Sequence, residues 1–275
     1  MEYSNTIKSI AIGSFDGMHI AHQALIERAE AVVVIERNGG YLTPGYKRAY
    51  FTDRPCFFYH FEKICGFAPE GFVVKLQEDF PRLEKIVVGY DFAFGKGKSA
   101  DAERLRELFG GKVEIVGEIK YNGISVHSRV IKAYLKEGDI PMANRLLGRE
   151  YLIEGRVIRG QGLGSRALVP TLNLNIEGYQ LPLEGVYATR TRVEGRWYDS
   201  VSFIGHRVST DGSYAVETHL LESSIELPLG EVGIAFVAFL RKNRKFEMLE
   251  ALKKQIDKDI TEAKEVLANE ELNER

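Results

Sequence analysis

Cysteine is nearly absent: Cys56 and Cys65 are all that 275 residues contain, and they form neither a CxxC pair nor a disulfide framework. A disulfide scaffold and a cysteine zinc centre are thereby excluded, and this usage suits a reducing compartment. Net charge is equally scarce. The 37 basic and 39 acidic side chains leave -2, so no global field draws the chain to nucleic acid or an anionic membrane. Any phosphate chemistry must come from local sites. No run approaches the roughly 18 apolar residues of a membrane helix. The opening MEYSNTIKSI lacks the basic segment and the apolar core of about 7 to 15 residues that mark a signal peptide. The expectation is a cytoplasmic protein with no nucleic-acid or membrane partner. Internal repeats and low-complexity segments are also missing, which excludes solenoids and arrays, and nothing in the pattern speaks to oligomeric state.

What is present is a folding chain, 44% hydrophobic and 28% charged, long enough for two ordinary domains. In the first half, IKSIAIG ends in a turn, HQALIERAEA has helical spacing, and AVVVIE is a second β-branched run. Further on, LEKIVVG reads as a strand, SADAERLRELF as a helix with Leu105, Leu108 and Phe109 on one face, and KVEIVGEI as another strand. Such alternation predicts an α/β fold with a parallel sheet. The stretch ERNGGYLTPGYKRAYFTDRPCFFYH gives no clean period. From about Ser128, SRVIKAYLKEGDIPMANRLLG reads as two linker helices broken at EGDIP. The closely spaced strands beyond, with a hairpin at Glu194-Gly195, predict a small antiparallel β-barrel. A C-terminal helix with an apolar stripe of Leu249, Leu252, Ile256, Ile260 and Ala263 is expected to pack on it. Domains are expected at 1–148, linker helices included, and 149–275.

The segment GSFDGMHIAHQALI puts His19 and His22 three residues apart where a strand ending in Gly13 turns into a helix. Unpartnered N–H groups at a helix start favour an anion, and two imidazoles on one face can stabilise charge developing in nucleotidyl transfer. A capping or surface role is the plainer alternative for an isolated HxxH. The whole string resembles the GxFDGxHxGHQ signature of the nucleotidyltransferase superfamily, in particular bacterial FAD synthetases. Gly13, Phe15, Asp16, Gly17, His19, His22 and Gln23 match, and Ala21 stands at a family glycine. The resemblance implies a Rossmann-like nucleotidyltransferase fold, with His19 and His22 catalytic and Gly13, Phe15, Asp16 and Gly17 binding nucleotide.

A second stretch, VVGYDFAFGKGKSAD, resembles the FAD synthetase pattern VVGxDFxFG; it implies flavin contacts from Asp91 and Phe92 and phosphate neutralisation by Lys96 and Lys98. Read alone, GKGKS is a polar loop with solvated lysines. A third superfamily element, SSTxxR, has HSRVIK as its nearest counterpart, with Ser128 retained and Lys132 in place of arginine, and these two carry the implied nucleotide contacts. The family's TFxPHP segment after the second strand is missing.

In GLGSRALVPTLNLNI, Thr171 and Asn173 project to one face of an apparent strand as hard oxygen donors suited to Mg²⁺ carrying a nucleotide. The glycines of GQGLG, Gly162 and Gly164, would let backbone approach phosphate. An ordinary strand entry is the competing explanation. In YAVETHLL, Glu217 is either a general base at the barrel mouth or a solvent-facing edge residue. The order PTxN, GVYA, SFIG, ETHLL, FLRKNRKF and a long helix resembles the riboflavin kinase domain over its whole length. That resemblance implies that Thr171 and Asn173 bind Mg-ATP, that Glu217 activates the ribityl 5′-hydroxyl, and that Arg241, Lys245 and Phe246 lie near flavin. This chain departs from the family at Ser165, Leu168 and Asn243.

Together the resemblances imply a bifunctional riboflavin kinase and FAD synthetase, with riboflavin, FMN and ATP as substrates, FMN and FAD as products and Mg²⁺ as cofactor. The departures leave two alternatives, a monofunctional riboflavin kinase with an inactive or regulatory N-terminal domain and a non-catalytic flavin sensor.

Overall fold

Short β-branched runs separated by amphipathic segments hide their backbones only when helices cover both faces of a parallel sheet, and the first half of the chain folds accordingly. The structure, a computed structural model, describes residues 6–37, 41–158, 169–209, 212–222 and 230–273. It divides into two compact units, Met1–Val130 and Ile131–Arg275.

The first unit begins with β1 (Ser9–Gly13), α1 (Ile20–Ile26), β2 (Ala31–Glu36), β3 (Cys56–His60), α2 (Phe61–Ile64) and α3 (Pro69–Asp79). It continues with β4 (Lys85–Gly89), β5 (Ala93–Phe94), β6 (Ala100–Asp101), α4 (Ala102–Phe109), β7 (Lys112–Val116), β8 (Lys120–Tyr121) and β9 (Ile124–Ser125). Helix α5 (Ser128–Glu137) crosses into the second unit. Strands β3, β2, β1, β4 and β7 lie parallel in that order. Alternate residues serve the two faces: Ile10, Ile12, Val33, Ile86 and Val88 enter one core, and Ala11, Val32, Val34 and Val87 the other. Strand order reverses between β1 and β4, so their carboxyl ends at Gly13 and Gly89 open the crevice in which such sheets bind ligands.

Two stretches differ from the sequence expectation. Helix α1 stops at Ile26 rather than running through Ala31, because Arg28 and Ala29 tighten to i,i-3 bonds and the Glu30 N–H is taken by the Ser9 carbonyl. The unperiodic aromatic stretch holds a 3₁₀ segment, Gly45–Phe51, and the edge strand β3.

The second unit continues with α6 (Ile140–Leu147), β10 (Tyr151–Ile158), β11 (Leu172–Ile176), β12 (Gly185–Val193), β13 (Arg196–His206), β14 (Tyr214–Leu220), β15 (Glu231–Lys242) and α7 (Leu249–Asn273). The break at EGDIP is present, with Gly138 at φ 83° and the Asp139 carboxylate accepting from the Met142 N–H at 3.0 Å. The six strands close an antiparallel barrel in the order β10, β11, β14, β13, β12, β15. Glu194 and Gly195, at φ 49° and 82°, turn β12 into β13, as the twist of a two-residue hairpin requires.

Inside the barrel, Tyr151, Ile153, Leu172, Leu174, Ile234 and Phe236 make an apolar wall. The facing wall is polar: Thr189, Thr191, Ser200, Ser202 and Thr218 are all fully buried. Their hydroxyls close a five-membered ring, Thr189 to Ser200 at 2.8 Å, Ser200 to Thr191 at 2.8 Å, Thr191 to Thr218 at 2.9 Å, Thr218 to Ser202 at 2.9 Å and Ser202 to Thr189 at 2.8 Å. Each hydroxyl can donate once and accept once around the ring, which removes the penalty for burying it.

Helix α7 packs Ala263 and Leu267 against Ala188 and Val237 on the outside of the barrel. The expected stripe is displaced at its start, where Leu249 is 50% exposed, and a carboxylate, Asp259, is buried in it. Arg241 of β15 draws Asp259 inward with a forked pair, Nε to Oδ1 at 2.8 Å and Nη2 to Oδ2 at 2.7 Å, and Gln255 adds a bond at 2.7 Å. Removing one member of a buried ion pair strands the other, so Asp259→Ala is expected to cost about 3 kcal/mol. The loss should be read as a lower denaturant midpoint at unchanged m-value.

Candidate active sites

In the first unit the loop after β1 is strained where it turns under the sheet. Phe15 and Met18 hold φ 49° and 46°, values an L residue rarely takes, and both side chains are fully buried. Gly17 between them sits at φ 92°. The buried Asp16 carboxylate braces this turn, accepting from the N–H groups of Leu42 at 2.7 Å and Thr43 at 3.2 Å, and its carbonyl accepts from the Ser128 hydroxyl at 2.7 Å. The segment after β2, although it lacks the family pattern, thus still anchors the motif.

His19 caps α1, its Nδ1 accepting from the His22 N–H at 3.3 Å. An acceptor Nδ1 is unprotonated, so the neutral ring carries its proton on Nε2 as a donor. His22 stacks on it with ring centroids 3.5 Å apart, and Phe15 meets His22 edge to face at 5.2 Å. The N–H groups of His22 and Gln23 both bond the His19 carbonyl, at 2.8 and 3.0 Å.

Both histidines line a cavity of about 390 Å³ at the carboxyl ends of β1 and β4, shared with Gly13, Phe15, Asp91, Phe92 and Ser128. Ala21 lines it too, so its methyl stands where the family glycine leaves space. Asp16, Gly17 and Lys132 are not among the lining residues. Arg37, Lys98 and Arg129 supply the cations there, and Arg129 occupies the threonine position of the SSTxxR pattern. From sequence Arg129 stands only as a departure from that pattern and carries no assigned role, although its position three residues before Lys132 was visible. The Tyr90 hydroxyl and His127 Nε2 share a hydrogen bond at 3.2 Å. Burial, and then the Glu118 and Asp91 carboxylates, push the Tyr90 phenol above its ordinary range, keeping it a donor. Glu118 moves the other way, its carboxyl held below the usual range by the Ser125 hydroxyl and the Lys120 ammonium.

In the barrel unit, β11 and β14 pair so that Asn173 lies opposite Glu217, 44 residues away in sequence. The inward Thr218 fixes the alternation, so Glu217 points to the outer face of the barrel, as does Asn173. Thr171 enters β11 from the same side, and His219 is tethered by its Nδ1 to the Pro170 carbonyl at 2.8 Å. One guanidinium, absent from the sequence reading, joins the pair. Arg207 bonds Glu217 Oε1 through Nε at 2.8 Å and Nη2 at 2.5 Å, and the same Nη2 reaches Asn173 Oδ1 at 2.5 Å. Gly162 and Gly164 lie outside the described residues.

The FLRKNRKF segment folds back on the end of β13. Asn243 donates to the His206 carbonyl at 2.6 Å, and the Phe246 N–H donates to the Ser209 hydroxyl at 2.9 Å. Arg244 covers the Phe246 ring at 4.7 Å and Lys245 is exposed. Arg241 is committed to Asp259, which makes it a clamp between barrel and helix rather than a free contact.

Comparison with known proteins agrees with this architecture. Residues 147–267 match the Flavokinase family model, riboflavin kinase, so the barrel is a riboflavin kinase domain. Over nearly the full chain, three relatives bear the name bifunctional riboflavin kinase/FMN adenylyltransferase. The Pseudomonas fluorescens protein is 29% identical, covering 94% of this chain and 92% of its own. The Mycoplasma pneumoniae protein is 29% identical, with 95% and 98% covered, and that of Listeria monocytogenes 28%, with 94% and 92%. Along nearly its whole length the chain is thus similar to proteins named bifunctional riboflavin kinase/FMN adenylyltransferase. A crystal structure of a macrolide-efflux protein from Streptococcus pneumoniae superposes with a TM-score of 0.80 over 93% of each chain at 22% identity, a likeness of fold alone. Among the described residues no helix is long and apolar enough to cross a membrane.

Proposed function

We propose that the barrel unit phosphorylates the ribityl 5′-hydroxyl of riboflavin with ATP, giving FMN and ADP. The sheet unit then joins FMN to the AMP of a second ATP, giving FAD and pyrophosphate. The observation that carries the kinase half is the juxtaposition of Asn173 and Glu217 across β11 and β14. Glu217 accepts the hydroxyl proton as the ribityl oxygen attacks the γ-phosphorus and the bond to the ADP oxygen breaks. A Thr hydroxyl, an Asn carbonyl oxygen and phosphate oxygens are the hard donors Mg²⁺ takes, so Thr171 and Asn173 fit as its protein ligands; the ion supplies charge neutralisation on the triphosphate. Phe246 and Lys245 border the flavin, and Arg241 holds that segment to α7.

In the sheet unit the FMN phosphate is already an anion and needs no base. His19, through its Nε2–H, and His22 stabilise the charge that develops as the α-phosphorus changes partners and pyrophosphate leaves. Arg129, with Lys98, supplies the cationic charge that the family arginine gives elsewhere, and Asp91 and Phe92 face the flavin. The test is chromatographic, on purified protein with Mg-ATP and a single flavin. Riboflavin converted to FMN, and supplied FMN converted to FAD, supports both halves. Supplied FMN left unchanged would confine the activity to the barrel.

A further inference from the structure

The geometry points to Arg207 as the positioning residue of the kinase site, an inference that rests on Glu217 being its base. Arg207 lies just past the end of β13, yet its guanidinium reaches across β14 to β11. Both of its bonds to Glu217 fall on Oε1, and Oε2 accepts no hydrogen bond among the described residues. A base needs one oxygen fixed and the other open, and this arrangement gives Glu217 that form. The bond to Asn173 Oδ1 uses one lone pair of a carbonyl that has two. The same guanidinium can therefore hold Asn173 in place without blocking its outward donor function.

Arg207 is itself built in. Its N–H and its Nη1 both bond Ser213, the first to the carbonyl at 2.9 Å and the second to the hydroxyl at 2.8 Å. Its neighbours His206 and Ser209 take the bonds from Asn243 and Phe246 described above. The flavin-side segment and the base are thus linked through one short loop, with Arg207 at its centre. A forked, planar donor is required, because a lysine ammonium cannot span Oε1 and Oδ1 with the same fixed geometry.

The test is a four-variant comparison on the full chain: Arg207→Ala, Arg207→Lys, Glu217→Gln and the double Arg207→Ala/Glu217→Gln. Riboflavin phosphorylation by Arg207→Ala should fall roughly 100-fold in kcat, the cost of misplacing a reacting group by about an ångström, with KM for riboflavin and ATP little changed. Arg207→Lys should recover part of the rate. The double variant should be no slower than Glu217→Gln alone, because Arg207 acts through Glu217. Multiplied losses in the double variant, or a KM effect with unchanged kcat, would overturn the inference and make Arg207 an independent phosphate or structural contact. A melting curve accompanies each variant, and if Arg207→Ala does not fold, Arg207→Lys and Arg207→Gln carry the same comparison. Should Glu217→Gln itself phosphorylate at the wild-type rate, the kinase assignment fails first. A dead Glu217→Gln beside a fully active Arg207→Ala would sink the Arg207 inference alone.

Discussion

Replacing Glu217 with glutamine is expected to lower the kcat for riboflavin phosphorylation by roughly 10³-fold, within the range that a positioned general base supplies. Glutamine keeps the shape and can still accept from Arg207, so packing and register survive while the proton acceptor is lost. FMN adenylylation, which we assign to the first unit, should proceed at the wild-type rate. The measurement is paired initial rates on one preparation, riboflavin to FMN and FMN to FAD. Equal loss of both would show that the two activities do not have separate centres.

The second large effect lies in the sheet unit. His19→Ala together with His22→Ala is expected to lower FMN adenylylation by about 10³-fold, the loss that follows when preorganised donors to a developing oxyanion are removed. Kinase activity should be untouched. Because His19 also caps α1, the single variant His19→Asn is the better control for stability: an asparagine restores the cap but cannot present an imidazole N–H. Wild-type FAD output from the double variant would leave the cavity without its assigned chemistry. His22 alone should matter less than His19, since the His19 tautomer is fixed by the backbone and survives loss of its stacking partner.

How much of this could be read from the chain depends on how far apart the partners are. The alternation of β-branched runs and amphipathic helices was legible, as were the Glu194-Gly195 hairpin and the break at EGDIP, because each is a local matter of period and backbone preference. Strand β3 was not. It is an edge strand of intermediate burial, CFFYH, so neither a continuous apolar run nor a clean alternation marks it. The length of α1 was misread because the bond that ends it comes from β1.

The candidate sites divide in the same way. Gly13, Phe15, His19 and His22 are contiguous in sequence and all line the cavity, so the motif located them. Arg207 belongs to no sequence pattern weighed here, since its partners sit on two other strands, 34 and 10 residues away. The partner of Arg241 was equally hidden: a buried carboxylate in the following helix claims its guanidinium, and nothing in an apolar stripe marks Asp259 as the exception.

The ring of five hydroxyls inside the barrel bears on how the kinase site keeps its tolerances. Thr218 belongs to that ring and is the residue next to Glu217, so the strand that presents the base outward is moored from within. Ser202 donates to Thr218, and Ser200 and Thr189 also reach each other's backbone carbonyls at 3.0 and 3.3 Å, so the ring is tied to the strands themselves. A slip of β14 against β13 by even one residue would turn Thr218 outward and Glu217 inward and break the circuit. The aim of the carboxylate is therefore governed by side chains buried inside the barrel, and the barrel's interior acts as the keel of the proposed site on its hull.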